Sequence, residues 1–193
     1  MPTNTPTVTF GLSNVHTAGL TISGSTYTYE AWEALPGAVN CSGSDNSNEV
    51  REYADNKTWY LVSKTTDATV TLEMERVTDD FLIDYCGYVR SKTGGLLKTT
   101  NKARKKFALG FRNETDADHE LHVWPECQVT GSVQVEHATN EDGVTINHAT
   151  VTITAFAVSI SDTTDIIMDD ITADDSRFAG LWSTVYALPE EAA

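Results

Sequence analysis

Thr150-Val151-Thr152-Ile153-Thr154-Ala155 alternates hydroxyl and aliphatic side chains without a break. Successive residues of a strand point to opposite sides, so a period of two makes one side dry and the other wet. Every residue but the last is β-branched, a type that loses little rotamer freedom on a pleated surface and more in a helix. The same pattern recurs on either side. Val129, Val133 and Val135 interleave with Thr130, Ser132 and Gln134; Val70, Leu72 and Met74 interleave with Thr69, Thr71 and Glu73; and Phe107, Leu109 and Phe111 repeat it after a charged stretch. Glu141-Asp142-Gly143 supplies the turn residues of a tight hairpin, so the strand from Gln128 is expected to pair with the one ending near Phe156. With 28 Thr and 16 Val among 193 residues, the chain reads as mainly β with strands of antiparallel type.

Two segments break the pattern. Thr78 or Asp79 can cap a short helix whose first turn is acidic, whose Phe81, Leu82 and Tyr85 share a side, and which ends at Gly87. A second helix is expected from Asp174 or Asp175 through Phe178, Leu181 and Trp182. Ser44 to Asn48 is small and polar and reads as a loop. Residues 159 to 176 hold six Asp and no base before Arg177, which reads as an exposed acidic connection. The chain thus divides into a β domain over 1–158 with an N-terminal arm, and an acidic C-terminal extension over 159–193 packed on that domain or on a neighbouring subunit.

The formal charge of −15 opposes affinity for phosphate. The opening residues have neither a basic nor an apolar region of a secretory signal, and no run is long enough to span a bilayer, so a soluble, unsecreted, non-membrane protein is expected. Cys41, Cys86 and Cys127 have no metal-ligand spacing and read as thiols of a reducing compartment. His119 and His122 fall on opposite sides of a strand, and His137 with His148 would face each other only across a two-residue turn, so neither pair makes a convincing metal site. Paired aspartates lack calcium-loop spacing. No nucleophile elbow, phosphate-cradling glycine loop or zinc helix is present, which leaves no basis for an enzyme or a cofactor. Lys98, Lys102, Arg104, Lys105 and Lys106 cluster without an aromatic, so base stacking is not their task; a solvated loop or a contact with acids of another copy remains.

The opening Val8-Thr9-Phe10-Gly11-Leu12-Ser13-Asn14-Val15-His16 resembles that of the phi-thirteen-type major tail tube proteins of long, non-contractile-tailed bacteriophages. Leu35-Pro36-Gly37-Ala38-Val39, Tyr53-Ala54-Asp55-Asn56, Asp79-Asp80-Phe81, Phe107-Ala108-Leu109, the strand Thr150 to Ala155, and Phe178-x-x-x-Trp182-x-x-Val185-Tyr186 with Pro189 follow in that family's order. The resemblance implies a two-sheet, barrel-like β-sandwich flanked by a short helix, six copies closing into rings, and rings stacking into a hollow tube. It implies as partners other copies of the chain, a tape-measure protein in the lumen, tail terminator and distal tail proteins at the ends, and passing double-stranded DNA. The expected location is the virion tail, with the host cytoplasm during assembly. The polar faces near 37–55, 128–137 and 149–156 are then expected to line the lumen, through Asn40, Ser42, Glu52, Gln128, Thr130, Ser132, Gln134, Glu136, Thr150, Thr152 and Thr154. Contacts between subunits are expected at Ser44, Asp45, Asn46, Ser47 and Asn48 and at Lys102, Arg104, Lys105 and Lys106. A monomeric β-sandwich binding module, such as a receptor-binding or decoration protein, is the alternative.

Overall fold

A computed structural model describes residues 9–55, 57–115, 120–135 and 147–190. Its strands are β1 (Thr9–Ser23), β2 (Thr26–Tyr29), β3 (Glu33–Ala34), β4 (Ala38–Ala54), β5 (Lys57–Met74), β6 (Tyr88–Arg90), β7 (Leu96–Lys98), β8 (Lys106–Thr115), β9 (Glu120–Val129), β10 (Gln134–Val135), β11 (Ala149–Phe156), β12 (Val158–Ser159), β13 (Asp165–Ile166) and β14 (Asp169–Ile171). One α-helix, α1 (Asp79–Tyr85), and a 3-10 helix, Phe178–Ser183, complete the described residues. The main sheet runs β2-β1-β8-β9-β11-β5-β4, with β3, β10 and β14 added at the sides. All its pairings are antiparallel.

The alternating strands build the core as their period requires. Ala149, Val151, Ile153 and Ala155 are buried on β11, and each lies beside Met74, Leu72, Val70 or Ala68 of β5. The sheet curls over until these side chains meet Val15 of β1, Phe107 and Leu109 of β8, and Cys127 and Val129 of β9. The sandwich is therefore one continuous sheet folded on itself, and β1 lies alongside β4 without a ladder between them among the described residues. Bulges help the bend: the β1–β8 register shifts around Gly11 and Asn14, which both have positive φ. Full burial of each aliphatic side chain contributes about 1.5–3 kcal/mol.

Helix α1 closes one end of this core. The Thr78 hydroxyl accepts from the Phe81 N–H, and Gly87 takes the left-handed conformation at φ +80°. Phe81 and Tyr85 then stand 5.8 and 4.5 Å from the Phe107 ring, centroid to centroid.

Four expectations are corrected. Ser44 to Asn48 is not a loop but the middle of β4, paired residue for residue with Thr69 to Lys64 of β5 through one bulge. The partner strand satisfies its backbone, and Asn46 Nδ2 donates to Thr69 Oγ1 at 3.1 Å, which outweighs low β propensity. Residues 159–176 are not merely an exposed connection: β13 and β14 lie there, Ile171 and Asp169 are buried, and β14 pairs with β9. The expected second helix is a single 3-10 segment from Phe178, because the Asp175 carboxylate takes the Arg177 N–H at 2.8 Å and closes a turn where a helix would have begun. Val135 is exposed, since β10 pairs only with the end of β11. The Glu141-Asp142-Gly143 turn lies outside the described residues, yet Gln134 with Thr150 and Val135 with Ala149 show the expected antiparallel pairing of its flanks.

A second apolar cluster covers the other side of β1, β8 and β9. Ala18, Leu20, Ala108, Leu121 and Val123 meet Trp32 and the C-terminal residues Ile171, Leu181 and Tyr186, so the extension packs on its own domain. Gly110 is required here: a Cβ would stand 2.9 Å from the Trp182 ring and 3.2 Å from Trp32.

Candidate functional site

The polar side chains left on the outside of the folded sheet form ordered rungs. Asn40 of β4 lies beside Glu73 of β5, then Thr150 of β11, then Gln134 of β10. Ser42, Thr71 and Thr152 make the next rung, and Ser44, Thr69, Thr154 and Gln128 the third. The gap beside Thr152 is filled by the backbone of Thr130 and Gly131, whose N–H groups donate to its carbonyl at 3.2 and 3.3 Å. The Thr130 and Thr154 hydroxyls are 2.9 Å apart. No Lys or Arg stands in these three rungs, and their one carboxylate, Glu73, has the His148 Nδ1 at 2.8 Å. These three rungs offer hydroxyls, amides and one acid; beyond the third, Lys106 Nζ stands 5.2 Å over the Phe156 ring and is paired with Glu126.

Of the residues expected on a common polar face, Asn40, Ser42, Gln128, Thr130, Gln134, Thr150, Thr152 and Thr154 do come together. Ser132 is exposed in the short connection between β9 and β10, Glu52 lies far out on β4, and Glu136 is outside the described residues. Ser44, Asn46, Thr69, Thr71 and Glu73 belong to the same face. For the β5 residues the signal was already visible in the alternation of Val70, Leu72 and Met74; what it lacked was the knowledge that β5 lies between β4 and β11. Asp45, on the opposite side of β4 from Ser44 and Asn46, lines a separate groove with Cys41, Gly43, Phe111, Trp124 and Met168. Ser47 and Asn48 are where the body ends, because beyond them β4 and β5 pair, among the described residues, only with each other.

Lys102, Arg104, Lys105 and Lys106 are each engaged within their own chain, while Lys98 is exposed on β7. Lys102 Nζ donates to the Ile83 carbonyl at the end of α1 and to the Tyr88 carbonyl at 2.9 Å. Arg104 Nη1 donates to the carbonyls of Val129 and Gly131 at 2.6 and 2.8 Å, tying down the chain where β9 ends, and Gln128 Nε2 returns a bond to the Arg104 carbonyl at 2.9 Å. Lys105 pairs with Asp84 at 3.0 Å and Lys106 with Glu126 at 2.5 Å. The Asp84 hydrogen bond, then its charge, raises the Lys105 ammonium above its ordinary range.

Other titratable groups do structural work. Asp169 is buried and accepts from Arg177 Nη1 at 2.7 Å and from the Tyr186 hydroxyl at 2.8 Å, clasping the C-terminal segment to β14. Burial pushes the Cys41 and Cys86 thiols up to about 12, and Cys127 well above its ordinary value. A thiol so held is not a nucleophile at neutral pH. His122 Nδ1 stands 2.5 Å from Asp170, while His119 and His137 are outside the described residues. Among the described residues no three His, Cys, Asp or Glu side chains converge to hold a metal, and no helix is long and apolar enough to cross a membrane. Neither a family model nor a curated protein matches the chain.

Proposed function

We propose that the protein is the structural subunit of a phage tail tube, self-assembling into stacked hexameric rings whose lumen is lined by the polar rungs. The observation that carries this reading is the set of three rungs without a cation, next to which Lys106 is neutralised by Glu126. Each phosphate neutralised by Lys or Arg steepens nucleic-acid binding, so a wall along which DNA must slide has to present polar groups without positive charge. A chain of −15 adds long-range repulsion that keeps the duplex off the wall. The dimensions agree. Four strand positions per copy (β4, β5, β11 and β9 with β10) at about 4.8 Å spacing, repeated six times, give a circumference of roughly 115 Å and about 37 Å between facing backbones, which admits a hydrated duplex. The family resemblance supports the same reading, and with it passage of a tape-measure protein and capping by terminator and distal proteins.

The test begins with the purified chain, concentrated and imaged by negative stain, where rings or tubes are expected. In a Cys41→Ser background, Ser42→Cys should react with a small and a bulky maleimide alike when dispersed, and only with the small one once assembled. A strict monomer at high concentration favours the binding-module alternative. Tubes in which both reagents label equally place the rungs outside and refute the lumen assignment.

A further inference from the structure

The ends of β4 and β5, residues 47–55 and 57–65, form an arm that no other strand supports among the described residues. A lone two-stranded hairpin is marginal in water, and this one presents Tyr53, Trp59 and Tyr60 at 65, 75 and 55% exposure beside Val50, Leu61 and Val62. At about 150–250 Å² per aromatic side chain the three rings leave roughly 300–500 Å² to be covered, a large part of the ~800 Å² that each partner buries in a specific interface.

The same chain carries a receptor for such rings. A groove of about 410 Å³ is lined by Gly43 of β4, the aromatic side chains Phe111 and Trp124, Met168 and Asp45. We propose that the aromatic end of the arm of one copy docks in this groove on a second copy, so that copies associate head to tail.

Two facts select a second copy as the occupant. Gly43 belongs to the strand that runs out into the arm, and ten extended residues from it to Tyr53 span about 30 Å, so a copy's arm is carried away from its own groove. Charge decides the rest. Residues 47–65 hold Glu49, Glu52 and Asp55 against Arg51, Lys57 and Lys64, a formal charge of 3 − 3 = 0, so the entire −15 sits on the remainder of the chain. Two such bodies repel, whereas the neutral arm approaches freely and brings Lys57 toward Asp45. Given one way, from the arm of each copy to the groove of the next, the contact is heterologous and propagates into a ring or a stack, whereas a reciprocal exchange would stop at a two-fold dimer. The inference rests on the self-assembling reading above and specifies its contact.

Leu61→Cys/Met168→Cys in the full chain, treated with a short bis-maleimide during assembly, should link the arm of one copy to the exposed Met168 position of the groove in the next, giving dimers, trimers and longer ladders. The ladder should be missing from Leu61→Cys alone and from Met168→Cys alone. Trp59→Ala should leave the melting temperature unchanged and raise the concentration needed for assembly roughly 30-fold, the effect of losing an interface hot spot. Links that stop at dimers, or Trp59→Ala assembling at the wild-type concentration, would overturn the docking. Particles that form from the double variant without any link between positions 61 and 168 refute the groove and leave the tube reading standing; a chain that never associates refutes both.

Discussion

Removing the Asp169 carboxylate should loosen the C-terminal segment more than any other single change in it. Asp169 is 7% exposed and accepts from Arg177 Nη1 at 2.7 Å, Arg177 Nη2 at 3.3 Å and the Tyr186 hydroxyl at 2.8 Å. Hydrogen bonds to a charged group contribute about 1.5–3 kcal/mol, and leaving a buried hydroxyl without an acceptor costs about 1–3 kcal/mol. The Arg177 share is discounted, because its side chain is 28% exposed and stays held by Asp175 at 2.7 Å. Asp169→Ala is therefore expected to lose about 3–4 kcal/mol. For a chain of this length each kcal/mol moves the melting temperature by about 2–4 °C, so the shift is roughly 6–16 °C downward. Tyr186→Phe removes one bond and should lose about 1–2 kcal/mol. Since both act on one contact, the double variant should fall short of additivity by about 1 kcal/mol. Thermal melts followed by circular dichroism at neutral pH measure all three. A melting temperature for Asp169→Ala within about 2 °C of the parent, or strict additivity, would refute the clasp.

Arg104→Ala should lose about 1.5–3 kcal/mol by freeing the Val129 and Gly131 carbonyls, and Arg104→Lys should recover only part of it, because both bonds leave the single nitrogen Nη1, which an ammonium can replace as a donor but only from a side chain one atom shorter; denaturant titration at neutral pH reads the difference. Burial raises the phenols of Tyr29, Tyr85 and Tyr186, Tyr85 to about 12, so their contribution is fully present below the unfolded value of about 10 and is lost as pH rises through the folded values; melting temperatures should fall above pH ~10, and a flat profile to pH ~12 would contradict this. At the acid end, the hydrogen bonds from Arg177 hold the Asp175 carboxyl below its ordinary range, so its contribution is present above about pH 4 and fades as pH falls through the lower folded value, a change that Asp175→Asn should abolish.

Much of the architecture is written in local pattern. The period of two over Thr150 to Ala155 and Thr69 to Met74 determined which side chains are buried, because alternation is a property of the extended backbone and needs no partner to be read. Thr78 and Gly87 bracketed α1 for the same reason, since caps act within a turn. Other features follow from what is distant along the chain. Ser44 to Asn48 became strand because β5 offers a complete ladder, and the length of the arm beyond it follows from that pairing. The basic run looked free because the carbonyls of Ile83, Val129 and Gly131 that hold Lys102 and Arg104 are backbone atoms, present at every residue and distinguished only by position. Asp169 looked like one more exposed acid until folding placed Arg177 and Tyr186 against it. The residue types of the polar face, and their freedom from Lys and Arg, were determined by sequence alone. Their assembly into rungs across β4, β5, β11 and β9 was decided by strand order and register, which arise from non-local packing of the buried sides and leave no mark in any one segment.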